Sequence, residues 1–222
     1  MGAESTFLFA DIAGYTALTE AHGDEHAAAT CARFFDEVSE LVEPQDGEVV
    51  KTIGDAVMLR MAVPTSAVAL GLRIAHEVLT EHEAPTVRVG MHHGPAVERA
   101  GDWFGSTVNL AARVAELAAG GEVLVSEAVR TAAAELEGVE FEARGVSRLR
   151  NVAEPVRIFA AIEDERSPVE RQIDPVCRMV VAEGRAAGAL KHAGREYVFC
   201  SLECVSRFAR DPDAYAPGAA SA

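Results

Sequence analysis

Alternating and helical patterns of apolar residues divide residues 1–162 into short strands and amphipathic helices. The run EVVKTIGDAVMLRM alternates on either side of Gly54-Asp55, which predicts a β-hairpin. Apolar residues recur every three or four positions over residues 27–42 and 66–79, which predicts two helices. FLFAD and VRVGM have the pattern of strands, and a further helix follows the loop GDWFGS. This order predicts an α+β domain with helices packed on an antiparallel sheet.

Composition and charge exclude several classes of partner. The 222 residues include 35 acidic and 20 basic side chains, and the net charge of -15 repels a polyphosphate backbone, so nucleic acid is not expected as a partner. No run approaches the ~18 consecutive apolar residues of a membrane span, and the first residues lack the pattern of a secretory signal. We therefore expect a cytoplasmic protein without a membrane partner.

The predicted hairpin carries the first candidate chemical groups. Lys51 precedes the turn and Asp55 lies in it, so the hairpin would hold a cation and a carboxylate close together. Gly and Asp are also ordinary turn residues, and a strand lysine usually faces solvent. Asp11 follows the apolar run FLFA, where a strand gives way to a loop. These residues become informative only in combination with the rest of the chain.

Two further pairs of polar residues are candidate sites. Asn109 and Arg113 are four positions apart on a predicted helix, so they share a face on which an amide and a guanidinium can grip an anion. In isolation such a pair is more often a surface hydrogen bond and an ion pair. His92 and His93 are adjacent on a predicted strand and point to opposite faces, which argues against one shared metal ion.

Four separated motifs carry a resemblance to a known family. In their order and spacing, FLFADIAGYT, VVKTIGDAVM, VRVGMHHGPAV and GDWFGSTVNLAARV resemble the catalytic domain of class III adenylyl and guanylyl cyclases over residues 6–162. The resemblance implies a ferredoxin-like antiparallel sheet with helices. Asp11 and Asp55 match the aspartates that hold two Mg²⁺ or Mn²⁺ ions in that family. One ion lowers the pKa of the 3'-hydroxyl, and the other orients and neutralises the triphosphate.

The resemblance also implies a substrate. Lys51 and Asp102 match the residues that select adenine, since a lysine donor and a carboxylate acceptor fit N1 and the 6-amino group. Asn109 and Arg113 match the pair that orients the ribose and stabilises transition-state charge. Arg150 aligns with a family lysine that touches the triphosphate. The implied enzyme is an adenylate cyclase that converts ATP to 3',5'-cyclic AMP and pyrophosphate.

The family also implies a homodimer. Its metal aspartates and its base-reading and transition-state residues come from opposite subunits, and all six positions occur in this one chain, so two equivalent sites are expected. The segment between Gly94 and Gly105 is shorter than in many members, which leaves the stability of the dimer open. One alternative is a catalytically silent nucleotide-binding homologue, but the retention of every matched polar position argues against it. Another is a guanylate cyclase, but Lys51 and Asp102 argue against that.

The composition of the chain changes after a predicted linker at residues 163–171. Cys200 and Cys204 lie at a predicted strand-to-helix junction with Ser201 as N-cap, and Cys177 lies in a Pro-containing turn. Thiolates that converge in this way can hold Zn²⁺ or Cu⁺, with His192 as a suggested fourth ligand to zinc.

Residues 172–217 resemble a YHS domain, a small module believed to bind metal through such cysteines, and residues 218–222 form a tail. The alternative is a small folded cap whose thiols are buried or oxidisable. Domain adjacency raises the hypothesis that metal or redox state regulates the preceding cyclase. A protein that chiefly binds metal is a further alternative, but the C-terminal piece is a small share of the chain.

Overall fold

The computed structural model describes residues 4–79, 84–164 and 172–216. Within these ranges the chain forms two compact units, each described by itself below. The first comprises residues 4–12, 33–78 and 87–164, and the second comprises residues 13–32, 79, 84–86 and 172–216. Most of the linker predicted at 163–171 and the tail predicted at 218–222 lie outside the described residues.

The described residues form six α-helices and thirteen strands. No helix among them combines the length and apolar character that a membrane span requires. In chain order the elements are β1 (Glu4–Ile12), α1 (Tyr15–His22), α2 (Asp24–Val42), β2 (Glu48–Ile53), β3 (Ala56–Met61), α3 (Pro64–Glu77), β4 (Val87–Pro95), β5 (Val97–Arg99), β6 (Asp102–Phe104), α4 (Ser106–Leu117), β7 (Val123–Ser126), α5 (Glu127–Ala132), β8 (Val139–Ser147), β9 (Val156–Glu163), β10 (Gln172–Ile173), β11 (Val180–Val181), β12 (Gly188–His192), β13 (Arg195–Phe199) and α6 (Leu202–Arg210).

The first unit is built on a seven-stranded sheet with the order β2-β3-β1-β4-β7-β9-β8. Neighbouring strands run antiparallel except β4 and β7, which are parallel. A parallel pair needs a crossover connection, and here the crossover contains α4. The prediction of an α+β fold with helices on a mostly antiparallel sheet is confirmed, and the one parallel pair was not predicted.

Two glycines allow helices to lie close to the central strand β4. A Cβ atom on Gly90 would lie 2.0 Å from the backbone nitrogen of Ala115 in α4, and one on Gly71 of α3 would lie 2.0 Å from Cε of Met91. Because Gly90 and Met91 are neighbours on a strand, they point to opposite faces. Therefore α3 and α4 cover opposite faces of the sheet, and Gly90 fixes how closely α4 can approach.

The predicted helix boundaries are partly wrong. Helix α2 begins at Asp24, earlier than the predicted 27, and α3 spans Pro64–Glu77, whereas 66–79 was predicted. Pro64 suits the first turn because its missing N–H has no helical partner there. Val78 is extended, with φ -80° and ψ 140°, and Leu79 has a φ of 52°, so the helix ends before them although both side chains are buried.

The second unit confirms the predicted small cysteine-containing α+β fold. It contains the antiparallel pairs β10-β11 and β12-β13, helix α6, helix α1 and the first part of α2. Eleven of its buried residues form a cluster to which the N-terminal and C-terminal parts of the unit both contribute. The fully buried members of this cluster are Leu18, Ala27, Cys177, Phe199 and Cys204.

Candidate active site and cysteine cluster

A pair of carboxylates lies at one end of the first unit's sheet. Asp11 is the second-last residue of β1 and is in register with Ala56, the residue after Asp55. Asp55 follows Gly54, whose φ of 63° closes the tight turn between β2 and β3. The hairpin predicted around Gly54-Asp55 is thus confirmed. It brings Asp55 close enough to Asp11 for the Asp11 carboxylate to affect the pKa of Asp55.

The surroundings of Asp55 change its pKa. Burial, followed by the negative charge of Asp11 and the hydrogen bond to it, raises the pKa of Asp55 to about 6. Arg88 opposes this shift. It is in register with Asp11 on β4, and its Nε donates to Asp11 Oδ2 at 2.8 Å while its Nη2 donates to the same oxygen. Sequence reasoning missed Arg88, whose signal is its position in the strand that pairs with β1.

The carboxylate pair fits divalent metal ions. Carboxylate oxygens are the ligands that Mg²⁺ and Mn²⁺ prefer in proteins. Two carboxylates held against each other repel, and the raised pKa of Asp55 is the measure of that repulsion together with burial. A divalent cation between them would remove the repulsion. The arrangement of Asp11 and Asp55 is therefore suited to the ions expected from the sequence.

Lys51 and Asp102 form a second pair. Lys51 Nζ donates to Asp102 Oδ2 at 2.6 Å, and Asp102 Oδ1 accepts from the backbone N–H of Trp103 at 2.8 Å. The hydrogen bond from Lys51 lowers the pKa of Asp102. Asp102 begins β6, which pairs with β5 across a turn at Ala100 and Gly101, both with positive φ. This short hairpin sets the position of Asp102 opposite Lys51.

Helix α4 presents the predicted amide and guanidinium. Asn109 is exposed, and Arg113 is partly buried and donates to Glu116 one turn later. Their spacing of one helical turn places them on the same face, as predicted. Arg150 is an exposed residue in the turn after β8.

The site residues of the first unit fall into separate groups. Asp11, Asp55 and Arg88 interact with one another, as do Lys51 and Asp102. Across residues 4–79 and 84–164, no hydrogen bond or ion pair joins the carboxylate pair to Lys51, Asp102, Asn109, Arg113 or Arg150.

The adjacent histidines of β4 have separate partners. His92 Nδ1 lies 2.7 Å from Ser126 Oγ, and His93 Nδ1 lies 3.0 Å from Thr6 Oγ1. Burial, with a smaller contribution from His93, lowers the pKa of His92 to about 4. The two imidazoles thus bond to side chains on different strands, Thr6 on β1 and Ser126 on β7.

Three thiols and one imidazole converge in the second unit. Cys200 Sγ lies 3.4 Å from Cys177 Sγ, 3.9 Å from Cys204 Sγ and 3.8 Å from His22 Nε2. All four ligand atoms lie within 4.8 Å of one another. The three cysteines are buried and free of disulfides. The predicted convergence of Cys177, Cys200 and Cys204 is therefore present.

The suggestion of His192 as the fourth ligand is wrong. His192 Nε2 lies 2.9 Å from Asp213 Oδ1, and the residue in the cluster is His22. His22 ends α1, a helix that the sequence analysis did not predict. The available signal was the short pattern Tyr15, Leu18 and His22, which falls on one helical face.

Asp174 holds the two cysteine-bearing segments together. Its Oδ1 accepts from the backbone N–H of Val176 at 2.8 Å and of Cys177 at 3.4 Å, and its Oδ2 accepts from that of Cys200 at 2.8 Å. The side chain is fully buried, and burial raises its pKa while these bonds oppose the rise. Sequence reasoning missed this residue, although an Asp before a Pro-containing turn is a common acceptor for backbone N–H groups.

Helix α6 is capped as predicted, and its first turn carries a thiolate-stabilising arrangement. Ser201 Oγ accepts from the backbone N–H of Cys204 at 3.2 Å. Hydrogen bonds from the thiols of Cys177 and then Cys200 lower the pKa of Cys204, and the corresponding bonds raise that of Cys177. The cluster thus stabilises at least one thiolate, the form that binds metal.

Known proteins are similar to this chain over 69 to 77% of its length. It is 40% identical over 157 residues to a pH-sensitive adenylate cyclase from Mycobacterium tuberculosis, covering 69% of this chain and 39% of that protein. It is 33% identical over 174 residues to an adenylate cyclase from Streptomyces griseus, covering 77% of this chain and 42% of that protein. The matched part of the chain therefore spans about two fifths of the length of these relatives.

Solved structures and family models agree with this similarity. A structure of adenylate cyclases from Trypanosoma brucei in their monomeric state matches with a TM-score of 0.64 and 25% identity, covering 72% of this chain and 89% of that one. Residues 172–219 match the model of the YHS domain. Residues 3–160 match the model of the adenylate and guanylate cyclase catalytic domain. The chain therefore belongs to the family of adenylate and guanylate cyclase catalytic domains.

Proposed function

We propose that the protein is an adenylate cyclase that converts ATP to 3',5'-cyclic AMP and pyrophosphate in a homodimer. The observation that carries the proposal is that Asp11 and Asp55 lie close together. The same chain also carries a separate Lys51–Asp102 pair. Relatives with 40% and 33% identity are named adenylate cyclase, which supports the reaction.

The carboxylate pair would hold two Mg²⁺ or Mn²⁺ ions. Bound there, such ions lower the pKa of the attacking 3'-hydroxyl and neutralise the triphosphate. Asp11 and Asp55 orient the ions through their oxygens. Arg88 fixes the rotamer of Asp11 through two donated hydrogen bonds to one oxygen.

Residues of α4 act on the substrate itself. Asn109 orients the ribose by hydrogen bonding, and Arg113 stabilises the charge that develops on the transferring phosphoryl group. To do so Arg113 exchanges its bond to the exposed Glu116 for a phosphate oxygen. Arg150 contributes a further cation to the triphosphate, and its exposure leaves it available to do so.

The base is selected by Lys51 and Asp102. A Lys51 N–H donates to adenine N1, and Asp102 accepts from the 6-amino group. The two side chains lie side by side and are hydrogen-bonded to each other, which supports their joint recognition of neighbouring atoms on one base edge. Guanine presents a carbonyl and an N–H at these positions, the reverse pattern, and is therefore disfavoured.

A second copy of the chain would complete each site. The carboxylate pair and the base-selecting pair are not bonded to each other within the described residues, which fits a site shared between subunits. Apolar side chains beside the second pair are exposed: Val49 by 39% and Ile53 by 49% on the edge strand β2, and Phe104 by 51%. We propose that a symmetric partner covers these residues and that each site combines Asp11 and Asp55 of one subunit with α4 of the other.

The cysteine cluster is proposed to regulate the enzyme through its metal or redox state. The chain passes from β1, which carries Asp11, directly into the segment that ends in His22, so a change at His22 can act along the backbone on the catalytic strand. A cytoplasmic location remains a prediction from the sequence.

Mixing two inactive variants tests the shared site. Purified Asp55→Ala and Arg113→Ala would each lose cyclase activity by about 1,000-fold, equivalent to ~4 kcal/mol of transition-state stabilisation. Mixed in equal amounts and allowed to exchange subunits, half the dimers carry one intact site. Activity with ATP and Mn²⁺ should then recover to about one quarter of the wild-type value. Cyclic AMP is identified by mass spectrometry.

Other outcomes discriminate between the alternatives. Recovery with cyclic GMP as the main product would favour a guanylate cyclase. No recovery from a mixture that sedimentation shows to be dimeric would refute the shared site. No cyclic nucleotide from the dimeric wild-type protein would favour a catalytically silent nucleotide-binding homologue.

A further inference from the structure

We propose that His22, Cys177, Cys200 and Cys204 form a closed Zn²⁺ site. The fourth ligand, His22, lies outside the segment that matches the YHS domain and inside the one that matches the cyclase family. This inference does not rest on the proposed nucleotide chemistry, since every ligand belongs to the second unit.

The separations among the ligand atoms fit a tetrahedral ion. Four ligands at the usual Zn–S distance of about 2.3 Å stand ~3.8 Å apart at the corners of a tetrahedron, and a Zn–N bond of about 2.0 Å shortens that separation slightly. The distances from Cys200 Sγ to Cys177 Sγ, His22 Nε2 and Cys204 Sγ are 3.4, 3.8 and 3.9 Å. A disulfide would require about 2.05 Å, so the geometry is that of separate thiols around a common centre.

The donor set selects the ion. Three thiolates and one imidazole are a soft-to-borderline set that favours Zn²⁺ over Mg²⁺ or Mn²⁺, and four ligands in a compact tetrahedron fit zinc better than Cu⁺. The carboxylate closest to the cysteines, Asp174, is occupied with three backbone N–H groups. With all four positions taken by protein atoms, the ion is structural.

Packing of α1 places the imidazole. Leu18 lies one turn before His22, is fully buried, and belongs to the same apolar cluster as Cys177 and Phe199. His22 is the last residue of α1, and its Nε2 faces Cys200 Sγ. The ring is therefore held at the cluster by the apolar face of its own helix.

Zinc would cross-link segments that are distant in the chain. His22 precedes the linker and the cysteines follow it, so the ion closes a long loop, which stabilises the folded state by restricting the unfolded one. Loss of zinc should loosen α1 as well as the C-terminal module. A metal held by Cys177, Cys200 and Cys204 alone would leave α1 unaffected.

Cobalt spectroscopy on the full chain tests the assignment. The reduced protein, stripped with a chelator, is titrated with Co²⁺ and then Zn²⁺. We expect one ion per chain, intense visible bands of tetrahedral Co²⁺, thiolate charge transfer, and displacement by Zn²⁺. His22→Ala should weaken Zn²⁺ binding by at least about 100-fold and should change the cobalt bands. A loss of about 100-fold is the most that is expected when a residue that only supports a metal ligand is removed.

Matched histidine variants control for indirect effects. His26→Ala removes an exposed ring whose centroid lies 5.4 Å from that of His22, and His192→Ala removes the ring bonded to Asp213. Both variants should bind Co²⁺ and Zn²⁺ as the wild-type protein does. His22→Cys should restore a tetrahedral cobalt spectrum with stronger thiolate charge transfer, which also answers the objection that His22→Ala fails to fold.

Three results would overturn the proposal. One is a His22→Ala protein that binds Zn²⁺ with wild-type affinity and an unchanged cobalt spectrum. The second is a fully reduced chain that binds neither ion. The third is a loss of Zn²⁺ binding in His192→Ala but not in His22→Ala. None of these readouts contains a nucleotide, so failure here is distinct from failure of the proposed cyclase.

Discussion

The carboxylate pair and the cysteine cluster are two candidate metal sites with opposite designs. Asp11 and Asp55 are partly exposed, offer hard oxygen ligands and are not bonded to the other nucleotide-site residues of their own chain. The cysteines are buried, offer soft sulfur ligands, and with His22 supply a full tetrahedral set from one chain. The first design suits ions that arrive and leave with substrate, and the second suits an ion that stays.

The difference shows what each site has to do. A site that must exchange ions and pyrophosphate needs open coordination positions. Its carboxylates lie close together, and burial of Asp55 together with the charge of Asp11 raises the pKa of Asp55. A structural site gains most from complete coordination and a rigid frame, which Asp174 and the Ser201 cap supply. A substitution in the nucleotide site should therefore leave the ligands of the cysteine cluster in place, and the following predictions compare the two sites.

The largest expected effect is on the choice of base. Lys51→Ala should lower kcat/KM for ATP by about 100-fold, because the adenine N1 contact is lost and Asp102 loses its partner. Activity with GTP should change little, and the zinc content should not change. Lys191→Ala, at an exposed lysine of the second unit, is the matched control. An equal fall with both nucleotides would contradict base selection by Lys51.

The next largest effect concerns the frame of the cysteine cluster. Asp174→Asn should lower the free energy of unfolding of the second unit by about 2 kcal/mol, because an amide NH₂ group replaces one of the two acceptor oxygens. Urea unfolding of the metal-free protein, followed by circular dichroism, measures this. Asp213→Asn, at an exposed carboxylate paired with His192, should cost less than about 0.5 kcal/mol. Equal effects would mean that Asp174 does not hold the two segments together.

A smaller effect is expected from pH at the carboxylate pair. With the pKa of Asp55 raised to about 6, the carboxylate is mostly ionised at pH 7 and mostly protonated at pH 5. Mn²⁺ affinity, measured by thermal shift at constant ionic strength, should therefore fall about tenfold over that range. Stability of the metal-free protein should move the opposite way, since a raised acid pKa stabilises the fold at low pH and the gain disappears as pH rises through about 6.

Asp55→Asn serves as the control for this titration. It removes the titrating group and should flatten the dependence of Mn²⁺ affinity on pH between 5 and 7. A dependence that persists in this variant would assign the titration to another group.

The smallest effect is the helix cap beside the cluster. Ser201→Ala should destabilise the second unit by about 1 kcal/mol, because the N–H of Cys204 loses its acceptor. Ser206→Ala makes the same substitution in the middle of α6, where the hydroxyl donates to the Leu202 carbonyl, and should change stability by a few tenths of a kcal/mol. Thermal melting of both variants distinguishes a cap from a general effect of losing a hydroxyl.

Local sequence patterns correctly predicted the structural features that depend on residues close together in the sequence. The hairpin around Gly54, the shared face of Asn109 and Arg113, and the Ser201 cap each involve residues within a few positions, and the structure has all three. The α+β class followed from the order of periodic segments. The ends of α3 were misplaced because Val78 and Leu79 continue the apolar period after the backbone has left the helix.

Residues that act across long sequence separations were missed. Arg88 meets Asp11 only because β1 and β4 are neighbours in the sheet, and Asp174 meets Cys200 through the fold of the second unit. His22 stands far from the cysteines in sequence, whereas His192 is near them, so proximity along the chain favoured the wrong histidine. Strand register and helix docking, which a single sequence does not state, decide these contacts.

The shared apolar cluster of the second unit has a consequence for protein engineering. Leu18 and Ala27 have no exposed surface, and they belong to the same cluster as Val176, Phe199 and Phe208. A protein cut between the two family matches would lose the last three of these side chains and leave an apolar strip on α1 and α2 bare to water. Swapping this catalytic domain into another protein would therefore require a polar redesign of that strip, or the transfer of the C-terminal module with it.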